Sequence, residues 1–155
     1  MNLSPELTYQ QAEIQDCQLL TETATRSKQD WGYSDNVMEL WKDDLLIDED
    51  YIRKNTVIKV YVTGRFIGFF AVIALDNEIL EIDHLWLLPG EKRKGFGSLI
   101  FKTILQYGKT NAFKKAILIA EPNAKGFYEK MGGTVQGTFQ SKIKDRQLEI
   151  YHYTL

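Results

Sequence analysis

Between positions 89 and 98 the chain reads Pro-Gly-Glu-Lys-Arg-Lys-Gly-Phe-Gly-Ser, so that three consecutive cations, Lys92, Arg93 and Lys94, stand directly before the closely spaced Gly95 and Gly97. The segment joins the end of a strand-like run to the start of the most apolar helical pattern in the chain. A helix N-terminus offers unpaired backbone N–H groups and the positive end of the peptide dipoles, and glycines let an anion approach that backbone. Together these features suit a pyrophosphate; the alternative is a basic, solvated loop. Two common phosphate motifs fail on the letters. No Lys-Ser or Lys-Thr follows a suitable glycine, as a P-loop needs, and Ile100 stands where G-x-G-x-x-G requires its last glycine.

Other candidates for chemistry are carboxylates and aromatics. Glu81 and Asp83 fall on one strand face by period-two alternation, where adjacent carboxylates can hold a water or raise one another's pKa. They could relay a proton, or equally pair with lysines at a wet sheet end. Trp31 and Tyr33 flank Gly32, and could stack on a cationic ligand or anchor a loop to the core. His84 and His152 have no ligand spacing with Cys17 or with carboxylates, so no metal site is expected. No Ser-His-Asp order is present.

These residues need elements to hold them. Residues 6–10 suggest a short strand, and Ile14, Leu19, Leu20 and Thr23 fall at helical spacing in a first helix from Ala12 to about Ser27. Residues 28–36 read as a loop, 37–46 as a second helix, and Asp48 as the cap of a further turn. Residues 56–62, 65–75 and 78–88 read as three strands with short turns, hence an antiparallel meander. Residues 95–108 form the central helix, followed by a strand at 116–120, a helix from Pro122 to Met131 and two strands at about 135–139 and 148–153. This order requires an α/β fold with a mixed sheet flanked by helices. A right-handed crossover through the central helix makes the strands before and after it parallel.

Composition bounds the rest. At 155 residues the chain is the size of one domain, 1–155, and 44% hydrophobic with 26% charged residues places it among ordinary globular proteins. A net charge of −2 with scattered cations argues against a nucleic-acid partner. No apolar run approaches a membrane span, the N-terminus lacks the pattern of a secretory signal, and the single Cys17 fits a reducing compartment, so a cytoplasmic location is expected. The terminal strands, with Phe139, Tyr151 and Tyr153, could pair across a two-fold axis in a homodimer.

The stretch from Glu81 to Leu105 resembles the central cofactor motif of the GNAT acetyltransferase superfamily, a strand followed by a Q/R-x-x-G-x-G/A turn and a helix. The match is Lys92-Arg93-Lys94-Gly95-Phe96-Gly97, with Lys92 in place of the usual Gln or Arg. Residues 117–133 resemble the strand, Asn-containing turn and Phe-Tyr-Glu helix that follow in the same superfamily. Ser27-Lys28 with Trp31-Gly32-Tyr33 is similar to a segment of a bacterial subgroup. The resemblance implies a GNAT-like acyl-CoA N-acyltransferase fold and an acetyl-CoA-dependent N-acetyltransferase acting on a primary amine of a small molecule, without a metal. A protein or peptide acceptor and a non-catalytic acyl-CoA sensor are the alternatives. It further implies that backbone at Leu85, Trp86 and Leu87 pairs with the pantetheine arm, that the turn from Lys92 to Ser98 holds the pyrophosphate, and that Asn123 and Phe127 border the cofactor. Tyr128 is the implied proton donor to the departing thiolate, Glu81 or Asp83 the base, and Trp31 and Tyr33 the roof of the acceptor pocket.

Overall fold

Tight turns fold the apolar run after Asn55 into three antiparallel strands, and their chemistry is local. Thr63 and Gly64 both take positive φ (48° and 75°), the geometry that suits a two-residue hairpin between β2 (Thr56–Val62) and β3 (Arg65–Ala74). Between β3 and β4 (Ile79–Leu87), Asp76 Oδ1 accepts from the N–H groups of Glu78 and Ile79 at 2.7 and 2.8 Å. The computed structural model describes residues 6–155. Its seven strands form one sheet in the order β1-β2-β3-β4-β5-β7-β6, with β1 at Leu7–Gln11, β5 at Lys115–Ile119, β6 at Thr134–Gln140 and β7 at Gln147–Thr154. All pairings are antiparallel except β4 with β5. The mixed sheet, the meander and the parallel pair expected from the sequence are therefore present.

Helices cover both faces. On one lie α1 (Cys17–Gln29), α2 (Asp35–Glu39) and α3 (Glu49–Lys54): Leu20 and Ala24 of α1, Met38 of α2 and Trp41, Leu45 and Ile47 of the connection from α2 to α3 are buried with Val57, Phe69 and Ala71, and Tyr51 and Ile52 of α3 pack against them. On the other, α4 (Phe96–Thr110) sets Phe96, Ile100, Phe101 and Ile104 against Val60, Phe70, Leu80, Ile82, Leu118 and Tyr151, with α5 (Lys125–Lys130) packed beside it. No described helix is long and apolar enough to cross a membrane.

Two helix boundaries differ from the expected ones. α1 starts at Cys17 because residues 14–16 form a 3₁₀ turn, tied where Glu13 N–H donates to Asp16 Oδ2; it runs on to Gln29 and takes Lys28 out of the expected loop. α2 is capped by Ser34, whose hydroxyl oxygen accepts from Val37 N–H, and ends at Glu39 rather than Leu46. Beyond it the carbonyls of Val37, Met38 and Glu39 accept from the N–H three residues on, which tightens the chain into turns.

Strand β4 carries the feature that matters most for the site. Opposite β3 its register jumps between Ala71↔His84 and Val72↔Ile82, leaving Asp83 as a bulged residue. Leu80 and Ile82 before the bulge pack toward α4, as do Leu85 and Leu87 after it, so the face parity changes at Asp83. His84 and Trp86 lie on the opposite face, with Phe69 and Tyr51. Across the sheet, Gly68 of β3 lies so close to β4 that a Cβ would meet the Trp86 carbonyl oxygen at 2.1 Å. Gly68→Ala is expected to lower stability by about 1–3 kcal/mol through forced separation of β3 from β4. The reading is a lower urea midpoint; an unchanged midpoint would mean that the strands part there at no loss.

Candidate active site

Parallel pairing of β4 with β5 stops at Glu81↔Ile117, although β4 continues to Leu87 and β5 to Ile119. The strands splay, and the gap opens a cleft of about 1170 Å³ lined by residues from both helical layers, large enough for an extended ligand and a second small molecule. Leu85, Trp86 and Leu87 line one wall, and Leu118, Ile119 and Ala120 the other.

The basic turn borders this cleft. Arg93 and Gly95 take positive φ (63° and 86°), and open space surrounds the Gly95 Cα. Among the described residues no acceptor takes the N–H of Arg93, Lys94 or Gly95, and the first turn of α4 adds its own unpaired amides. The side chains divide. Lys92 Nζ turns back to the carbonyl of Ser27 at 2.7 Å and Asp30 at 3.3 Å, above the Trp31 ring, and so caps the end of α1. Lys94 pairs with Glu91 outside the lining, and Phe96 is buried in the core. Lys92, Arg93, Gly95, Gly97 and Ser98 line the cleft. A ring of free amides at a helix start fits a pyrophosphate-bearing ligand such as a coenzyme A, with backbone rather than lysine side chains as the principal donor.

Phe127 and Tyr128, on α5, also line the cleft. Phe127 packs edge-on against Phe101 and covers Gly97, where a Cβ would just touch its ring. The Tyr128 hydroxyl makes no hydrogen bond among the described residues, and burial together with the nearby Glu121 carboxylate pushes its pKa up to about 12. It is a proton donor at neutral pH.

On the other face of the sheet, one carboxylate gathers four segments. Glu121 Oε2 pairs with Lys28 Nζ at 3.1 Å, and Oε1 accepts from the Tyr33 hydroxyl at 2.7 Å and from Asn123 Nδ2 at 2.7 Å and N–H at 3.2 Å. Arg146 donates to the Tyr33 oxygen at 2.8 Å and stands 3.8 Å from Glu121. Lys28 Nζ also lies 4.0 Å over the Trp41 ring. Burial alone would raise the Glu121 pKa, but the Tyr33 hydroxyl, the Lys28 charge and the Asn123 amide hold it below the ordinary value. Burial, aided by the Arg146 charge, holds Lys28 below its own ordinary value against the opposing pull of Glu121. Tyr33 thus supports the wall from behind, against Trp41, whereas Trp31 lines the cleft.

The two expected carboxylates separate in role. Asp83 lines the cleft and accepts from the Tyr51 hydroxyl at 2.5 Å; Glu81 does not line it, and its pKa is raised by burial and by Asp83. Beside Asp83, His84 is buried and its pKa is lowered by that burial, against the opposing pull of Asp83 and Asp44. Sequence reasoning missed Glu121, Lys28, Trp41, Tyr51, His84 and Arg146 as site residues. Lys28, His84 and Glu121 lie within the stretches singled out above, Ser27 to Tyr33, Glu81 to Leu105 and 117–133, without a role of their own being legible; Trp41, Tyr51 and Arg146 converge from outside them. No group of three His, Cys, Asp or Glu side chains that could hold a metal occurs among the described residues.

The model of the Acetyltransferase (GNAT) family matches residues 17–133. No curated protein matches the chain. Among solved structures it is similar to PaiA N-acetyltransferase from Thermoplasma acidophilum in complex with coenzyme A, with a TM-score of 0.80 and 19% identity over 97% of this chain and 99% of that one. It is similar to a GNAT family acetyltransferase from Elizabethkingia anophelis with acetyl-CoA bound (0.68, 14%, 96% and 98%). It is also similar to the spermidine/spermine N-acetyltransferase SpeG from Vibrio cholerae in complex with manganese ions (0.68, 18%, 96% and 92%). At these identities the likeness is one of fold.

Glu121→Ala would strand Lys28 as a buried charge and is expected to cost about 3–5 kcal/mol at pH 7. Because the folded-state pKa of Glu121 is depressed, its contribution is present above the unfolded value of about 4.3 and is lost as pH falls through the folded value. Urea midpoints of the two proteins should therefore differ widely at pH 7 and converge below about pH 4; a constant difference would contradict the ionic role.

Proposed function

The chain belongs to the GNAT acetyltransferase family, and on that premise we propose that it transfers the acetyl group of acetyl-CoA to a primary amine of a small molecule. The observation that carries this reading is the gap between β4 and β5. It leads from the free amides of the Arg93–Ser98 turn past the Tyr128 hydroxyl to Asp83, so that an anion cradle, a proton donor and a proton acceptor lie along one cleft. A small amine is favoured by Asp43 and Asp83 in the lining of the acceptor side, where Asp44 is paired with Lys142, and by the likeness in fold to an enzyme that acetylates spermidine and spermine.

Bound acetyl-CoA would supply the acyl group as a thioester. The backbone amides of the turn and the Arg93 guanidinium would hold its phosphates, and the unpaired strand backbone at Leu85–Leu87 its extended arm. Asp83 attracts the cationic amine, which becomes a nucleophile once one proton has passed to solvent and freed its lone pair; Asp83 then takes a second proton from nitrogen as the C–N bond forms, when that proton is far more acidic than in the free ammonium. As the C–S bond breaks, Tyr128 gives its proton to sulfur and regains one from solvent. A phenol with pKa about 12 holds its proton at neutral pH, so it is present as a donor and not as a base.

Calorimetric titration with acetyl-CoA, with NADH and ATP as controls, followed by a thiol-release screen over mono- and polyamines, tests the reading. Selective binding with release supports it, binding without release turns it toward a sensor, and no binding removes it. Tyr128→Phe should lower kcat by about 100-fold or more and leave the acetyl-CoA Kd nearly unchanged, since the hydroxyl acts in the transition state. Wild-type turnover in that variant would remove Tyr128 from the mechanism.

A further inference from the structure

The bulge in β4 sets Asp83 beside a buried histidine, His84, whose Nδ1 is hydrogen-bonded and whose Nε2 faces the carboxylate. The indole N–H of Trp86 points at His84 Nδ1, 2.8 Å away. An indole can only donate, so Nδ1 must be the unprotonated acceptor, and the neutral ring carries its proton on Nε2. That nitrogen lies 3.5 Å from Asp83 Oδ2. The Tyr51 hydroxyl, on α3, donates to the same Oδ2 at 2.5 Å and packs edge-on against the imidazole. Tyr51 thus hydrogen-bonds Oδ2, and the His84 Nε2–H faces the same oxygen at a longer distance, as a dipole beside the charge. Oδ1 takes no hydrogen bond among the described residues, and no Lys or Arg pairs with Asp83 among them.

On the reading of Asp83 as the proton acceptor, we infer that Tyr51, His84 and Trp86 are positioning residues that aim Asp83 at the amine, with Trp86 holding His84 as the Nε2–H tautomer so that it can only donate to the carboxylate. The acting oxygen is then Oδ1. The reverse tautomer would present a lone pair to Oδ2 and push the carboxylate away. The charged and titratable groups around the imidazole agree with a neutral ring that donates. Asp83 stands on its own strand, Tyr51 on α3 and Asp44 on the turn after α2, where Asp44 is already paired with Lys142 at 2.7 Å. Phe69 closes the remaining side with its ring centroid 5.9 Å away. Burial opposes protonation, so the tautomer persists through neutral pH. Trp86 therefore acts through its side chain on one face of the sheet, while its backbone lies along the cleft.

Nitrogen-15 histidine spectra of the intact wild-type protein between pH 6 and 9 test the tautomer directly. A neutral, Nε2-protonated His84 is expected; an Nδ1-protonated ring or an imidazolium would overturn the inference. In Trp86→Phe, checked for native circular dichroism, the tautomer pattern should become mixed and kcat fall roughly 10-fold with the acetyl-CoA KM unchanged, as expected for a lost positioning contact. In Tyr51→Phe, loss of a donor to the ionised carboxylate should move the acid limb of kcat/KM to higher pH. Unchanged spectra and turnover in Trp86→Phe, or an unmoved acid limb in Tyr51→Phe, would overturn the inference even where Asp83→Asn is inactive. Full activity in Asp83→Asn would instead remove the base reading on which it rests, with acetyl-CoA binding and thiol release left standing.

Discussion

Everything in the cleft depends on hydrogen bonds that two parallel strands stop making. β4 and β5 share three register pairs and then part, because the bulge at Asp83 turns β4 while Pro122 and the following 3₁₀ turn lead β5 away. Unpaired strand backbone in an interior is unfavourable unless something bonds it. That need for a partner suits the gap to an extended ligand. The same divergence opens a passage between the helical layers, so that groups from both faces of the sheet meet in one space.

The two ends of the passage use different physics. At the turn before α4 the backbone supplies the donors: Arg93 and Gly95 take positive φ, the N–H groups of residues 93–95 have no acceptor among the described residues, and the helix start leaves more of them without partners. The lysines on either side are largely committed elsewhere, Lys92 to the end of α1 and Lys94 to Glu91. On the acceptor side, side chains carry the organisation. Glu121 joins α1, the Tyr33 loop, the end of β5 and, through Arg146, the connection between β6 and β7. A buried ion pair adds little net stability, yet this one ties α1 and the Tyr33 loop to the end of β5 and to the β6–β7 connection.

Bulge and network together explain why chemically similar residues have dissimilar environments. Glu81 and Asp83 are two positions apart, but one is half-buried beside the parallel pair and the other faces the cleft under a tyrosine. Trp31 and Tyr33 are likewise neighbours in the chain. The first borders open space and the second is locked to Trp41 and Glu121. In each case a single backbone event, a bulge or the positive φ of Gly32, sends adjacent side chains into different surroundings.

Local pattern was sufficient for much of this molecule. Apolar strand-like runs parted by short turns marked the meander, helical spacing after Gly95 marked α4, and the Lys92-to-Ser98 turn stood out because both its glycines and its position between strand and helix are visible in the letters. Such features obey short-range rules, namely turn chemistry, period and backbone freedom. The partners of Glu121, the tautomer of His84, the separation of Glu81 from Asp83 and the diversion of Lys92 were settled only by tertiary structure. Lys28 and Glu121 are 93 residues apart, Tyr51 and Asp83 are 32 apart, and Tyr33 and Arg146 are 113 apart. Contacts over such distances come from how the sheet twists, bulges and splays under its helices, and no local preference of the chain encodes them.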